Sequence, residues 1–443
     1  MRAFDTLLDH IHSLWILDTH EHLPTEAQRP ADTDVLAEWL IHYASDDLRS
    51  AGLSAEGLAE ARDSKKDLIQ RWRLVAPHWH AAESTGYLRA LALSARELYG
   101  IERINEKTIG DLNERFCAAR RQGGWYDFVL KTKSKIALAI RSPYWAPEAD
   151  CPDPFVFTFL VDPFIIPTHH LAMAAKGQEV GVRVHTLEDW KEVTRRCIQR
   201  DLHPRSRIVC MKCGLAYQRS LRFDKVSEDQ AQRDFTEFFR DGNMGDWRPA
   251  IKAPKAFSDH MQHFICKVAD EMGLVYQFHT GIHAGNGNFI YDSNPALLSN
   301  LFLEYTNVKF DLFHISYPYV GELSTLAKIF PNVFIDMCWG HIISPELSRR
   351  ALVEWLDAVP ANKISAFGGD YCFVDGVYGH QLLARQNVAA ALAQKVEDGS
   401  FDLARAQEIA TWLFVDNPRR LFALDRFLKP GKKGSGPRRS KRA

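Results

Sequence analysis

Eight short apolar runs, most of them separated by segments of helical periodicity, constrain the fold of this chain more than any other feature. The runs are rich in β-branched and aromatic residues and lack polar alternation, which is typical of strands buried on both faces. Strand–helix alternation predicts a parallel sheet, and eight units favour a closed (β/α)8 barrel, although a doubly wound sheet also fits the count. The predicted strands are Leu14–Asp18, Ile136–Ile140, Phe155–Val161, Arg207–Cys213, Leu274–Phe278, Val308–Phe313, Val333–Met337 and Ile364–Phe367.

A long interval separates the first two predicted strands and shows helical patterns. In the first of them, Asp34–Ser50, the side chains of Leu36, Leu40 and Tyr43 share one face. We therefore predict an α/β protein, a (β/α)8 TIM barrel with a large helical insertion at 24–134 after strand 1. An insertion at the carboxyl end of a strand would cover the barrel mouth, where barrel enzymes keep their sites. A second irregular stretch, Ala231–Pro254, is predicted to be a loop before strand 5.

Composition and charge limit the classes of molecule that this chain is expected to bind. Its 443 residues carry a formal net charge of −1, which argues against a dedicated nucleic-acid binder. No secretory leader and no apolar run of about 18 residues is visible, so we expect no membrane partner. The eight scattered cysteines indicate reduced thiols and a cytoplasmic location. We expect a small-molecule substrate, and leave homo-oligomerisation open.

The strongest local signal is the segment Asp18-Thr19-His20-Glu21-His22, directly after the first apolar run. Residues two apart on a strand point to the same face, so His20 and His22 project together from the end of strand 1. Two adjacent imidazoles suit a cation such as Zn²⁺. Two polar residues in a turn are the alternative interpretation.

Three further ionisable residues end later strands. His279 and His314 close the fifth and sixth predicted strands, and Asp370 follows the eighth. The carboxyl ends of parallel barrel strands meet at one mouth, so these side chains are expected to converge there with His20 and His22. Together they predict a metal site.

Several segments resemble the amidohydrolase superfamily, in the branch that contains metal-dependent hydrolases and decarboxylases. The resemblance covers the barrel. It rests on the HxH of strand 1 and on the segments Phe278–Gly281, Phe313–Pro318, Phe330–Asp336, Phe367–Asp370 and Asp416–Phe422.

Two segments also resemble uronate isomerases, which are barrels of the same superfamily and isomerise hexuronic acids. These segments are Asp18–Leu23, followed by the long helical interval, and Ala95–Ile101. The sequence departs from the isomerase pattern at one place. An arginine-containing segment follows the strand-8 aspartate in the isomerases, whereas Tyr371, Cys372 and Phe373 follow Asp370 here.

The superfamily resemblance implies a metal-dependent hydrolase that acts on a small, anionic amide, ester or lactone through a metal-activated water. It implies one divalent ion, with Zn²⁺ preferred and a second ion left open, held by His20, His22, His279 and Asp370. Asp370 would move the proton of the water, and His314 would polarise the substrate carbonyl. Isomerisation of a sugar acid, decarboxylation, and a catalytically silent metal-binding protein are the alternatives.

The remaining candidates have open alternatives. Lys212 lies in an apolar strand; the resemblance allows it to be a carboxylated bridge between two metals, and it could instead contact the substrate or reach solvent. We predict Lys212 to be catalytic and assign substrate binding to Arg141, His283, Trp339 and His380. A surface salt bridge is the alternative for Arg141.

The domain prediction follows from these assignments. Residues 1–428 are expected to form one metal-dependent barrel domain that includes the insertion. The basic, Gly-, Pro- and Ser-containing residues 429–443 are expected to be a disordered tail, because they cannot bury an apolar face.

Overall fold

The structure is a computed structural model that describes residues 2–30, 32–142, 154–241 and 254–428. Eight strands form one sheet in which the order of the strands follows the chain. Each predicted strand is present, with no bound shifted by more than three residues. The strands are β1 (Ile16–Glu21), β2 (Ile136–Arg141), β3 (Phe155–Leu160), β4 (Ile208–Cys213), β5 (Val275–Phe278), β6 (Lys309–Leu312), β7 (Val333–Asp336) and β8 (Ile364–Ser365).

The sheet closes on itself through the segment that follows β8. The amide of Thr19 in β1 donates to the carbonyl of Phe367 at 3.0 Å, and the amide of Asp370 donates to the carbonyl of His20 at 2.9 Å. The chain beyond β8 therefore runs beside β1. This closure and the strand order confirm the predicted (β/α)8 barrel.

Helices connect the strands and fill the interval between β1 and β2. The described residues of that interval, where the helical insertion is predicted, form six α-helices and a π-helical segment (Asp127–Lys133). The α-helices are α1 (Ala3–Ser13), α2 (Val35–Trp39), α3 (Ala44–Ser50), α4 (Ala55–Ala61), α5 (Leu68–Ala82), α6 (Gly86–Tyr99), α7 (Ile109–Gln122), α8 (Asp162–Ile165), α9 (His170–Glu179), α10 (Leu187–Asp201), α11 (Glu228–Asp241), α12 (Lys255–Met272), α13 (Ser299–Glu304), α14 (Val320–Ile329), α15 (Gly340–Ile343), α16 (Pro345–Ala358), α17 (Val374–Glu397), α18 (Leu403–Thr411) and α19 (Asn417–Leu421).

Backbone packing divides the chain into two units. Unit 1 comprises the described residues within Met1–Phe155, Ala284–Asn286 and Met337–Ala443, and unit 2 those within Val156–His283 and Gly287–Asp336. In unit 1, α17 and α6 pack so closely that a Cβ on Gly379 would lie 1.9 Å from the carbonyl oxygen of Ala90. In unit 2, Tyr276, Phe278 and Phe310 are fully buried.

Two local predictions are wrong. The predicted helix Asp34–Ser50 is two helices, α2 and α3, because the backbone of Leu40 and Tyr43 leaves the helical geometry between them. The stretch Ala231–Pro254 is not all loop, since α11 extends to Asp241 and buries Ala231 and Phe235, one helical turn apart.

Some predictions fall outside what the structure describes. Residues 242–253 and the basic residues 429–443 lie outside the described ranges, and the single-domain boundary stays a prediction. Among the described residues, no helix combines the length and apolarity needed to cross a bilayer.

Candidate metal centre

Three of the predicted ligands meet in unit 1. Nε2 of His22 lies 3.2 Å from Oδ1 of Asp370, and Nε2 of His20 lies 3.7 Å from the same oxygen. One ligand atom from each residue falls within 4.8 Å of the others. The structure therefore brings together the two histidines of the β1 motif and the aspartate after β8, which are 348 or more residues apart in the sequence.

The donor set of this triad fits a divalent ion. The Nδ1–H of His22 donates to the carbonyl of Ser142 at 2.8 Å, which leaves the lone pair of Nε2 facing Asp370. A backbone carbonyl on the far nitrogen is the usual support of a metal-binding histidine. Two imidazoles and a carboxylate suit Zn²⁺ and related ions and leave room for a water or a substrate oxygen.

Backbone contacts with β1 fix the position of Asp370. Asp370 has a φ of +57°, a left-handed conformation that aspartate tolerates better than most residues. The amide of Gly369 before it donates to Asp18 at 3.1 Å, and the amide of Tyr371 after it donates to Glu21 at 2.9 Å. Burial, followed by the charge of Asp18, raises the pKa of Glu21 well above its usual range. The Asp18–His22 motif thus has two functions: its histidines face Asp370, and its acidic residues bind the amides on either side of Asp370.

A cluster of three aromatic side chains, Tyr43, Tyr87 and Trp339, contacts the triad through Tyr43. The sequence analysis did not predict this cluster. The Tyr43 hydroxyl lies 2.8 Å from Oδ2 of Asp370 and 2.7 Å from the carbonyl oxygen of the same residue. The Tyr43 ring stacks on Trp339 at 4.6 Å and on Tyr87 at 5.1 Å. Periodicity assigned Tyr43 to the apolar face of a helix, whereas the break between α2 and α3 turns it towards Asp370.

His42 is a second residue that the sequence analysis missed. Its ring centroid lies 3.7 Å from that of Tyr43. Burial lowers the pKa of His42 to about 4, while the charge of Asp370 opposes this shift and His22 adds to it. His42 is therefore a neutral imidazole at neutral pH. No motif in the sequence marked it, since it lies between two helices of the insertion.

The other predicted residues of unit 1 are buried around the centre. Arg141, at the end of β2, is 3% exposed, and its guanidinium lies 3.5 Å from the side-chain oxygen of Gln28. His380 is fully buried and donates from Nδ1 to the carbonyl of Gly369 at 3.0 Å. Trp339 is also fully buried. The contacts of Trp339 and His380 support Tyr43 and Asp370 respectively, and direct substrate contact stays a prediction for both.

His279 and His314 form a pair in unit 2. The Nε2–H of His279 donates to the carbonyl of Ile282 at 2.9 Å, which leaves Nδ1 to accept from Nε2–H of His314, also at 2.9 Å. Metal binding by His279 through Nδ1 would require His314 to turn away. Its role as a ligand, and that of His314 towards a carbonyl, stay predictions.

Lys212 lies in β4 and is 5% exposed. Its ammonium lies 3.9 Å from the centre of the Phe313 ring, close enough for a cation–π interaction. The neighbouring Cys210 and Cys213 are buried thiols whose pKa values burial raises well above the usual range, which agrees with a core role. Carboxylation of Lys212 stays a prediction.

His283 lines a cavity of about 660 Å³ in unit 2. The side chain is 5% exposed, and burial lowers its pKa. Tyr217 packs against both this histidine and His279, with ring centroids 4.7 Å and 4.5 Å away. Arg219 and Lys255 also line the cavity, but both pair with the buried carboxylate of Asp259. The cavity is large enough for a small molecule and has little uncompensated positive charge.

Known proteins resemble this chain over different spans. Residues 248–424 match the family model described as Amidohydrolase. The protein fluG of Emericella nidulans is 31% identical over 34% of this chain, but the match spans only 17% of that protein. A uronate isomerase of Cutibacterium acnes is 22% identical over 92% of this chain and 93% of its own length.

A solved structure extends the similarity to the whole fold. The uronate isomerase of Thermotoga maritima has a TM-score of 0.76 with 15% sequence identity, and the match covers 95% of this chain and 98% of that one. At this identity the similarity shows the fold alone. The family model matches residues 248–424, less than half of the chain, and the parallel barrel and the HxH and aspartate triad agree with this similarity to the amidohydrolases.

Proposed function

We propose that the protein is a metal-dependent isomerase of sugar acids, of the uronate-isomerase kind. The relative from Cutibacterium acnes, which spans nearly all of the chain, supports this alternative better than the expected hydrolase. The observation that carries the proposal is the contact between the Tyr43 hydroxyl and Asp370 in the metal triad. It places a group that can give and take a proton beside the carboxylate.

The proposed reaction interconverts an aldose and a ketose. The proton on C2 moves to C1 and the hydroxyl proton on O2 moves to O1, so nothing else is consumed or released. A divalent ion held by His20, His22 and Asp370 would polarise the adjacent carbonyl and hydroxyl oxygens.

The residues of the chain would handle the proton and the substrate. Asp370 and Tyr43 take up and return one proton across their 2.8 Å contact. Arg141 would bind the carboxylate of the sugar acid, since a guanidinium does so bidentately. The rings of Tyr43, Tyr87 and Trp339 exclude bulk water from this side of the triad.

The test is an assay of protein loaded with Zn²⁺ or Mn²⁺ on D-glucuronate and D-galacturonate, followed by NMR in D₂O. We expect a ketose product of unchanged composition. Asp370→Asn should lower the rate by about 10²–10⁴-fold, the usual contribution of a general acid–base group. His80→Ala, at an exposed site in the insertion, is the matched control. A loaded protein that converts neither uronic acid would contradict the proposal.

Hydrolysis is the second candidate, and one observation favours it. The residue after Asp370 is Tyr371, which is 1% exposed and packs against Tyr43. The resemblance to uronate isomerases leads us to expect an arginine-containing segment at this place. The same loaded protein should therefore be tested on amides, esters and lactones by pH-stat. Turnover of these compounds without ketose formation would favour the hydrolase.

A further inference from the structure

Asp375 links the insertion to the helix that follows the metal centre. It is fully buried and lies in the first turn of α17, five residues after Asp370. One carboxylate oxygen accepts from the indole of Trp39 at 3.0 Å and from the hydroxyl of Tyr99 at 2.8 Å. The other oxygen accepts from the indole of Trp125 at 2.8 Å.

Three N–H and O–H groups surround the carboxylate of Asp375. Charge-assisted hydrogen bonds are stronger than those between neutral groups. Amides in the first turn of a helix also favour negative charge. Three separate parts of the insertion, namely α2, α6 and the turn before the π-helical segment, are therefore held by one side chain.

Two side chains of the 39–43 segment, at the end of α2 and just before α3, contact the 370–375 segment. Trp39, the last residue of α2, binds Asp375, and Tyr43, four residues later, binds Asp370. The chain between them leaves helical geometry, so the position of Tyr43 is not set by a continuous helix. We propose that Asp375 is a positioning residue that holds the Tyr43 hydroxyl on Asp370 through Trp39, and thereby tunes the proposed metal centre.

Trp39 and Trp125 both donate to Asp375, so a substitution at each of them gives a matched test. Each Trp→Phe substitution removes one indole N–H from the same carboxylate and leaves an aromatic ring. Of the two tryptophans, only Trp39 is close to Tyr43 in the sequence, four residues before it. The inference therefore predicts that Trp39→Phe and Asp375→Asn disturb Tyr43, and that Trp125→Phe does not.

The first readout needs no metal and no substrate. Protein labelled with 3-fluorotyrosine gives a ¹⁹F signal for Tyr43, identified because Tyr43→Phe lacks it. We expect this signal to shift or broaden in Trp39→Phe and Asp375→Asn and to stay in place in Trp125→Phe. An unchanged signal in the first two variants, or the same change in all three, would overturn the inference.

The second readout is the affinity for zinc, measured by competition with a chelator. The inference rests here on the proposed metal centre. Removal of a hydrogen bond to a ligating carboxylate lowers metal affinity by about 10–100-fold, so we expect about a tenfold loss in Tyr43→Phe and Asp375→Asn. The double variant should lose no more than Tyr43→Phe alone, because both changes remove the same contact.

The outcomes separate the two proposals. Additive losses in the double variant would mean that Asp375 acts on stability and not through Tyr43, which overturns the inference. Ser54→Ala, which removes the cap of α4 elsewhere in the insertion, controls for general loosening. If the wild type binds no zinc, the proposed function fails, while the fluorine signal still decides the role of Asp375.

Discussion

A Cβ atom on Gly369 would lie 1.8 Å from Oε1 of Glu21. These residues are 348 positions apart in the chain, yet the glycine allows the backbone before Asp370 to lie directly against the β1 motif. The neighbouring Gly368 has a similar restriction, since its Cβ would lie 2.7 Å from Oγ1 of Thr19. The absence of side chains at 368 and 369 is thus a condition for the geometry of the metal triad.

Substitution Gly369→Ala should therefore destabilise the protein by about 1–3 kcal/mol or more, the usual range for overpacking a buried site. It should also weaken zinc binding, because Asp370 is the next residue. The measurement is the urea midpoint together with metal content. In the control Gly110→Ala the new Cβ meets nothing within 4 Å, and alanine in α7 should stabilise by about 0.5–1 kcal/mol. Equal effects of the two substitutions would contradict the packing argument.

The wild type, purified without added metal or chelator, should contain about one equivalent of a divalent ion. His20→Ala should lose it, because the remaining His22 and Asp370 supply too few ligands. Elemental analysis checks this, with His80→Ala as the control that keeps the ion. Two equivalents would support a bridging role for Lys212. A folded protein that takes up no ion on titration would refute the metal centre and the function that depends on it.

Acidification should destabilise the protein through buried neutral histidines. Burial lowers the pKa of His380 to about 3 and that of His341 to about 4, against 6.5 in an unfolded chain. The unfolded state therefore binds protons first as the pH falls below 6.5. Each histidine should therefore make the free energy of unfolding about 2 kcal/mol lower at pH 5 than at pH 8.

The variant His380→Asn isolates one of these contributions, since its amide can still donate to the carbonyl of Gly369. When the pH falls from 8 to 5 in the presence of chelator, the free energy of unfolding of this variant should decrease by about 2 kcal/mol less than that of the wild type. Urea unfolding at the two pH values measures the difference. Parallel losses would show that His380 is not held neutral in the folded state.

Asp259 should be a major anchor of unit 2. It is fully buried and accepts from Arg219 at 2.5 Å and from the amide of Asp224 at 3.1 Å. Asp259→Ala leaves a nearly buried guanidinium without its carboxylate and should cost about 3 kcal/mol. Glu228→Ala breaks an exposed pair with Lys191 and should cost less than about 1 kcal/mol. Similar urea midpoints for the two variants would contradict this ranking.

Local pattern was sufficient for the strands, and it marked the three candidate ligands that meet in unit 1. Buried strands need apolar residues on both faces, so all eight were visible, and His20, His22 and Asp370 stood out because a polar residue at the end of such a strand is uncommon. Pattern failed for Tyr43, since its spacing from Leu36 and Leu40 fits an apolar helix face. The pattern did not mark Asp375 either, because an acidic residue is common in the first turn of a helix.

The sequence by itself determined the barrel and the position of the candidate ligands at the strand ends, because hydrophobic periodicity and residue chemistry are local properties. Only the tertiary structure decided which side chains support those ligands. Tyr43, Asp375 and Gly369 acquire their roles from partners that lie 327 to 348 positions away in sequence. Hydrogen bonds and steric contacts act over a few ångströms, so their partners are fixed only when the closed barrel and the insertion bring the segments together.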